Sequence, residues 1–303
     1  MTAPAGVTVV AVTYNSADVI AGFLRALKEA ATDPVDLVIV DNKSADDTVD
    51  IVTELTPTAA VIRSARNAGF AAGINLAIEI VKPSGPVLVV NPDVRLHPGA
   101  IDVMLATAQE AGVGIVVPQL RDENGKLLYS LRRDPTPIRV LGEAVMGGTR
   151  AGRFGLGEMI TTPGRYEHAG SADWATGACM LITPECRRRV GPWDDTFFLY
   201  SEETDYALRA RDAGLSLRYQ PAATATHRGG DAHRSPALFQ LLTVNRWQLY
   251  RRRHGPIAAT FFRAALIVDM LPRAVAGRPT ARAALTGLLS AGTNLRAIAV
   301  NTQ

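Results

Sequence analysis

Residues 7–16, VTVVAVTYNS, decide the fold, because a run of mostly β-branched residues is followed at once by a polar segment. Such a run is typical of a strand buried on both faces of a parallel sheet. Apolar residues then recur at helical spacing from Val19 to Leu27, which predicts a helix with one apolar face. The alternation continues, with strands predicted at 35–40, 59–62, 87–90 and 113–117 and helices at 46–55 and 71–81. This order predicts an α/β sheet with right-handed crossovers.

Polar clusters follow three of these predicted strands, at the sheet edge where ligands bind in such folds. The clusters are Thr13, Tyr14 and Asn15, then Asp41 and Asn42, then Asn91, Pro92 and Asp93. The sequence contains neither a GxxxxGK[ST] loop nor a GxGxxG fingerprint after the first strand. A nucleotide would therefore be held through its base and ribose, with a metal ion neutralising its diphosphate. Asp93 suits Mg²⁺ or Mn²⁺, which prefer oxygen ligands, although Asn-Pro-Asp is also common in turns.

The second half of the chain holds two further candidate groups. Glu202 and Glu203 open a helix predicted over 201–212, directly after an aromatic segment. Apolar surroundings would raise the pKa of a carboxyl group towards the range of a general base, whereas the helix dipole alone also favours acids at this position. His227 has no zinc-ligand spacing around it. Strands are also predicted at 179–183 and 217–219, and a mobile glycine-rich loop at 142–157.

Charge is distributed unevenly along the 303 residues. The net charge is only +3, yet the segment from His227 to the end contains eleven arginines, no lysine and two acidic residues. Two or three helices are predicted beyond Ser235, with breaks at 255–256 and 277–279. Arginines interleaved with aliphatic residues predict binding to an anionic membrane surface rather than to nucleic acid. The alternative is that these helices pack on the preceding part of the chain, residues 1–230, here called the body, or form a homodimer interface. The arginines concerned are Arg246, Arg251, Arg252, Arg253 and Arg263.

The cellular location is predicted from three features that the sequence lacks. Two cysteines, Cys179 and Cys186, are too few for a disulfide framework. No run of about 18 uncharged apolar residues occurs. The first basic residue is Arg25, so the N-terminus lacks the character of a secretory signal. These features predict a cytoplasmic protein.

Seven short motifs occur in an order that resembles the inverting family 2 glycosyltransferases of the GT-A fold. They are VTYNS (12–16), DNKSADDT (41–48), RNAGFAAGINLAI (66–78), NPDV (91–94), TGACMLI (176–182), FFLYSEETDYALRARDAG (197–214) and THRGG (226–230). The resemblance implies a Rossmann-like α/β fold with a mixed, mainly parallel sheet flanked by helices. It also implies a glycosyltransferase domain over 1–230, divided into a nucleotide-sugar half (1–120) and an acceptor half (121–230). Residues 231–303 would form a basic helical extension.

The same resemblance implies roles for individual residues. Asp93 matches the last acid of the metal-binding DxD motif, whose first acid is replaced here by Asn91, and His227 would complete a Mg²⁺ or Mn²⁺ site. Glu203 matches the catalytic base, where relatives often have Asp, and Glu202 is the alternative base. The nucleotide would contact Thr13, Tyr14, Asn15, Asp41, Asn67 and Gly69.

Within the family, the motifs are most similar to those of the rhamnosyltransferases. The implied donor is dTDP-L-rhamnose, and the implied acceptor is decaprenyl-diphospho-N-acetylglucosamine, a polyprenyl-diphosphate-linked sugar of cell-wall linker synthesis. A lipid-linked acceptor would place the protein at the inner face of the cell membrane, as a peripheral protein. The alternatives are another nucleotide sugar used for a cell-surface polysaccharide, or a catalytically silent sugar-nucleotide or membrane-binding protein.

Overall fold

A computed structural model describes residues 6–229 and 234–290. The strands are β1 Thr8–Thr13, β2 Asp36–Asp41, β3 Ala60–Arg63, β4 Val87–Val90, β5 Val94–Leu96, β6 Val113–Arg121, β7 Leu131–Arg132, β8 Gly170–Ala172, β9 Trp174–Ala175, β10 Cys179–Ile182 and β11 Ser216–His227. The main sheet has the strand order β3-β2-β1-β4-β10-β6-β11-β5, with β8 paired to β11, and a two-stranded sheet joins β7 and β9. Six of the nine strands of the main sheet run in one direction, whereas β5, β8 and β10 run against their neighbours. The mixed, mainly parallel sheet is confirmed.

Helices cover both faces of this sheet, so its first strand is buried on both sides. In β1, Val9 and Ala11 contribute to one apolar core and Val10 and Val12 to the other. The helices are α1 Ala17–Leu27, α2 Thr48–Leu55, α3 Phe70–Val81, α4 Ala100–Thr107, α5 Pro137–Met146, α6 Gly148–Arg153, α7 Pro184–Val190, α8 Glu202–Asp212, α9 Pro236–Val275 and α10 Pro279–Leu289, with a 3₁₀ turn at Pro163–Tyr166. The helices and strands predicted before residue 91 are present, with ends shifted by at most two residues. Both cysteines are free and buried.

The stretch 142–157 is not the predicted mobile loop, because it contains the end of α5 and all of α6. The Thr136 hydroxyl caps α5 by accepting a hydrogen bond from the Arg139 backbone N–H at 3.3 Å. Gly147, at a φ of 77°, separates the two helices. A side chain at Gly142 or Gly152 would collide with a neighbouring backbone carbonyl oxygen. These glycines therefore allow close packing rather than flexibility.

The strand predicted to end at residue 117 continues through Pro118 to Arg121, so that boundary is wrong. Pro118 stands opposite Gln220, next to an irregularity in the pairing of β6 with β11. A bulge accommodates proline because the missing N–H is not required there. The strand predicted at 217–219 is likewise only part of the longer β11.

The C-terminal helices break where the sequence predicts. α9 is interrupted at Gly255, which has a φ of 79°, and the turn before α10 contains Gly277 at 85°. The second half of α9 packs against α5 and α10 through Val140, Phe262, Leu266 and Leu288. By length and composition α9 could cross a membrane, although a third of its apolar stretch is buried inside the protein.

Several arginines predicted to face a membrane contact the body instead. Arg246 forms an ion pair with Glu158 at 2.6 Å, Arg253 pairs with Asp212 at 2.7 Å, and Arg252 pairs with Asp194. Phe262 and Leu266, two of the apolar residues interleaved with these arginines, have no exposed surface. For these residues the packing alternative is correct, because each guanidinium has a carboxylate partner and each apolar side chain a core to enter.

Candidate active site

A cavity of about 570 Å³ opens at the carboxyl ends of β1 and β4, as the polar strand ends predict. Its wall contains seven of the predicted site residues, namely Thr13, Tyr14, Asn15, Asn67, Gly69, Asp93 and His227. Asp41, Glu202 and Glu203 do not line it. A larger cavity of about 740 Å³ lies at the opposite ends of β6 and β11 and contains no predicted site residue. The smaller cavity is therefore the candidate nucleotide site.

Asp41 lies behind the cavity wall, where it is 3% exposed. Its carboxylate accepts hydrogen bonds from the Thr13 hydroxyl at 3.1 Å and from the backbone N–H and the hydroxyl of Ser44 at 3.0 and 2.5 Å. These bonds fix the end of β1 and the segment after β2 relative to each other. In this structure Asp41 positions Thr13 rather than facing the cavity.

Gly69 connects the cavity to the segment before the acidic pair. Its φ is 96°, and a side chain there would collide with the Phe198 carbonyl oxygen. That oxygen accepts a hydrogen bond from the Phe70 N–H at 3.0 Å, while the Asn42 side-chain amide donates to the Gly69 carbonyl at 3.0 Å. Only glycine allows this close approach, which brings residues 198–200 into the cavity wall.

Asp93 and His227 meet at one side of the cavity. The Asp93 Oδ2 atom lies 3.3 Å from His227 Nε2 and accepts a hydrogen bond from the Gly229 N–H at 3.1 Å. Burial on its own raises the pKa of Asp93, but the hydrogen bond and charge of His227, together with backbone hydrogen bonds such as that from Gly229, outweigh burial and lower it. Asp93 is therefore ionised at neutral pH. Asp93 follows β4 and His227 ends β11, so the antiparallel pairing of β5 with β11 brings them together.

This pair fits a divalent ion that takes most of its ligands from a diphosphate. The described residues contain no cluster of three or more His, Cys, Asp or Glu side chains able to hold an ion alone. Mg²⁺ typically binds through one or two carboxylates together with substrate phosphates and water. One ionised carboxylate and one imidazole at a nucleotide-sized cavity satisfy that requirement.

Glu202 and Glu203 occupy the first turn of α8, beyond the wall formed by residues 198–200. Glu202 is buried, whereas Glu203 keeps partial exposure, and the Oε2 atom of each is buried without a hydrogen-bond partner among the described residues. Burial, followed by the charge of Glu203, raises the pKa of Glu202 well above its usual value. Burial also raises the pKa of Glu203, opposed by backbone N–H groups and by Arg132. Glu203 is the more accessible of the two carboxyl groups.

Gly177 connects the two halves of the site. The Asn91 N–H donates a hydrogen bond to the Ala178 carbonyl at 2.9 Å, and the preceding Gly177 lies against Glu203. A Cβ atom at position 177 would stand 3.0 Å from the Glu203 Cβ. Residues 177–178, which precede β10, therefore lie between the Asp93 side of the site and the carboxyl pair and contact both.

The turn before α8 has unusual backbone geometry. Tyr200 and Ser201 have φ values of 69° and 76°, and the Ser201 side chain makes no capping hydrogen bond although it occupies the N-cap position. Asn245 of α9 donates hydrogen bonds from its side-chain amide to the carbonyls of Leu199 and Tyr200, at 2.9 and 3.1 Å. Strained turns persist where surrounding contacts hold them, often at functional sites. Asn245 is a site residue that sequence reasoning missed, because no local motif marks a contact across 45 residues.

Comparisons with known proteins agree with this geometry. Residues 8–158 match the model of glycosyl transferase family 2. The N-acetylglucosaminyl-diphospho-decaprenol L-rhamnosyltransferase of Mycobacterium tuberculosis is 31% identical over 234 residues, which cover 72% of this chain and 75% of that protein. Rhamnosyltransferase WbbL of Escherichia coli is 29% identical over 177 residues, or 55% of this chain and 63% of that protein.

A solved structure supports the fold. The mannosyltransferase PcManGT of Pyrobaculum calidifontis, in complex with GDP-Man and Mn²⁺, superposes with a TM-score of 0.58 at 18% identity. The superposition covers 99% of this chain and 80% of that one. At this identity the likeness concerns the fold alone. Together with the sequence matches, it shows that the chain is an enzyme of the GT-A fold that belongs to glycosyltransferase family 2.

Proposed function

We propose that this enzyme transfers L-rhamnose from dTDP-L-rhamnose to a polyprenyl-diphosphate-linked N-acetylglucosamine, with inversion at the anomeric carbon. The observation that carries the proposal is the match to the M. tuberculosis rhamnosyltransferase across three quarters of that protein. The rhamnosyltransferase of E. coli supports the same donor sugar. The role of the product in a cell-wall linker is part of the proposal.

The donor would occupy the cavity at the ends of β1 and β4. Thr13, Tyr14, Asn15, Asn67 and Gly69 would surround its base and ribose, with Asp41 holding Thr13 in place. Asp93 and His227 would hold Mg²⁺ or Mn²⁺, and the Mn²⁺ bound with GDP-Man in the archaeal mannosyltransferase supports a divalent ion here. The ion would neutralise the departing diphosphate.

Glu203 would act as the general base. Its carboxylate would take the proton of an acceptor hydroxyl while that oxygen bonds to the anomeric carbon and the bond to the dTDP oxygen breaks. Attack opposite the leaving group inverts the configuration. A positioned base of this kind contributes about 10²–10⁴-fold to the rate. Glu202, with the pKa raised further, would carry the proton shared by the pair and so reduce the charge beside Glu203.

The proposed acceptor is a membrane lipid, so we place the protein at the cytoplasmic face of the membrane as a peripheral protein. We retain residues 1–230 as the glycosyltransferase domain and 231–303 as a helical extension. The boundary at residues 230–233 and the end of the chain from 291 lie outside the described residues. In the described part, the first half of α9 packs on the segment before the acidic pair, through Leu241 and Phe198.

A transfer assay with purified protein tests the proposal. The protein is incubated with a synthetic polyprenyl-diphospho-N-acetylglucosamine and a panel of nucleotide sugars, with Mn²⁺, with Mg²⁺ or with EDTA. We expect a rhamnosylated product from dTDP-L-rhamnose only, and its loss with EDTA. Transfer from another donor would replace the donor assignment, and absence of transfer with every donor would favour a silent binding protein.

A further inference from the structure

Exposed apolar side chains are concentrated in one part of the molecule. Of the twelve large hydrophobic side chains that are exposed in the described residues, eleven lie within 138–156 or 257–289, and only Ile80 lies elsewhere. These two segments form α5 and α6, the second half of α9, and α10, and α5 and α10 both pack against α9. Large contiguous apolar patches on a soluble protein mark interaction surfaces.

The second half of α9 is apolar on two opposite faces. One face, including Ala259, Phe262 and Leu266, is buried against α5 and α10. The opposite face is exposed and follows the spacing of successive helical turns; we name its residues the α9 stripe, and they are Ile257, Phe261, Val268, Leu271 and Val275. Ile257 and Val275 are each 79% exposed, so the stripe faces solvent over its full length of about 30 Å. α5 adds an exposed stripe of its own, consisting of Ile138, Leu141 and Val145.

The exposed charged side chains in the segments that carry these stripes are positive. Residues 136–157 and 257–290 contain seven arginines, no lysine and only two acids, Glu143 and Asp269. Asp269 is buried and pairs with Arg273 at 2.7 Å, and Glu143 accepts a hydrogen bond from the Glu158 N–H at 2.8 Å. Arg150, Arg153 and Arg278 are exposed. The surface therefore offers apolar side chains and positive charge without an exposed acid among its described residues.

We propose that the α9 stripe docks on the surface of an anionic lipid bilayer. This inference rests on the proposed function in one respect, the lipid-linked acceptor that requires such a surface. A helix with an apolar face and flanking arginines lies in the plane of the headgroups, and each basic residue adds attraction to anionic lipid. A second copy of the chain fits less well, because a two-fold interface brings the same patch together from both subunits and would place arginines against arginines.

The proposed membrane-binding surface does not include the arginine cluster at 251–253. Arg252 and Arg253 are engaged by Asp194 and Asp212 of the body. Arg251 lies over the Trp247 ring, with its guanidinium carbon 6.0 Å from the ring centroid. The second half of α9 begins after the break at Gly255, which changes the direction of the helix beyond this cluster.

Vesicle flotation tests the proposal without donor or acceptor, so its outcome is independent of the transfer assay. The full chain is mixed with vesicles of phosphatidylcholine, with or without phosphatidylglycerol. We expect flotation with the anionic vesicles that falls with added salt, and little with the neutral ones. Phe261→Gln, Val268→Gln and Leu271→Gln together should reduce the bound fraction at least about tenfold, because three inserted side chains are lost. Ile80→Gln, an equally exposed apolar residue elsewhere, should not change it.

Two results would contradict docking of the α9 stripe on lipid, and they can be told apart. Equal flotation of the triple variant and the wild type would overturn the assignment of the α9 stripe. Light scattering after size exclusion reports the oligomeric state, and a wild-type dimer that the triple variant converts to a monomer would assign the stripe to a second copy. Circular dichroism and hydrolysis of the donor sugar should be unchanged in the variant, since its three substituted side chains are exposed.

Discussion

Two neighbouring carboxyl groups at the first turn of α8 have different surroundings. Glu202 is buried, whereas Glu203 keeps partial exposure and lies against Gly177. Both have a raised pKa, that of Glu202 more strongly. When two such groups interact they titrate as a pair, and burial disfavours the charged form of the more buried group. This difference assigns the proposed base to Glu203.

We expect Glu203→Gln to lower kcat by about 10²–10⁴-fold, because the amide cannot accept the acceptor proton. The affinity for the donor should stay within about twofold of wild type, since Glu203 does not line the donor cavity. Stopped assays with saturating acceptor give kcat, and calorimetric titration with dTDP gives the affinity. Glu202→Gln is the matched control and should retain more activity. The reverse order of the two variants would identify Glu202 as the base.

The raised pKa of Glu202 also predicts a pH-dependent stability. A carboxyl group with a higher pKa in the folded state stabilises the fold fully below its unfolded pKa, and this contribution is lost as the pH rises through the folded value. Its usual value is 4.5. Glu202→Gln cannot ionise, so the melting temperature of the wild type should decrease more than that of the variant between pH 4.5 and 8. Each kcal/mol corresponds to about 2–4 °C for a domain of 150–250 residues, and to less for a larger one. If the melting temperatures of the two proteins changed in parallel with pH, ionisation of Glu202 would not destabilise the fold.

Asp93 can be tested as a metal ligand and as a turn residue with two substitutions. Asp93→Asn can still accept the hydrogen bond from Gly229 but carries no charge, whereas Asp93→Ala loses both features. We expect both variants to lose Mn²⁺-stimulated dTDP binding and transfer, because the diphosphate then lacks its ion. Calorimetry with and without Mn²⁺ measures this, and Asp50→Ala, at an exposed position of α2, is the control. Full activity of Asp93→Asn would reduce Asp93 to a turn residue.

At the scale of elements, sequence patterns succeeded where one local signal is sufficient. The continuous apolar run of β1 and the helical periodicity of α1 each follow from burial of a single element, and both were predicted. The glycine-rich stretch 142–157 is wrongly predicted as a loop because glycine serves both mobile loops and close packing, and only the neighbouring carbonyl oxygens distinguish the two. The cavity could be predicted because parallel strand ends converge. Its support by α9 could not, because it depends on tertiary packing.

Asn245 shows how the first half of α9 contributes to the site. Its two hydrogen bonds hold the carbonyls of Leu199 and Tyr200, in the turn that leads to the acidic pair. Asn245→Ala leaves both oxygens without this donor, which costs about 1–3 kcal/mol of stability. We expect kcat to fall at least about tenfold as the turn relaxes. Gln248→Ala on the same helix, assayed in parallel, should change neither quantity appreciably. Reduced stability with unchanged kcat would limit α9 to a structural role.

At the scale of the whole molecule, the C-terminal helices share buried contacts with α5 and with the segment before α8. Val140 of α5 packs with Tyr250 and Phe262 of α9, and Phe198 packs with Leu241. The helical extension therefore has an inner face that belongs to the body and an outer face that carries the exposed stripe. The composition of residues 227–303 indicated a basic, apolar segment but could not assign its arginines to one face or the other, because both faces are apolar.

The ion pair between Arg246 and Glu158 tests whether body and extension unfold as one unit. The two side chains are 22% and 7% exposed and meet at 2.6 Å. Removing one partner of a buried pair leaves an uncompensated charge and costs about 3–5 kcal/mol, whereas replacing both with apolar residues is often neutral. We expect Arg246→Leu and Glu158→Leu each to destabilise the protein by that amount and the double variant to recover most of the loss.

Urea unfolding followed by tryptophan fluorescence measures all four proteins, since Trp247 reports on α9 and Trp193 on the body. We expect a single unfolding transition in each protein. If the losses of unfolding free energy added in the double variant, or if the extension showed a separate transition, the two regions would be stabilised independently.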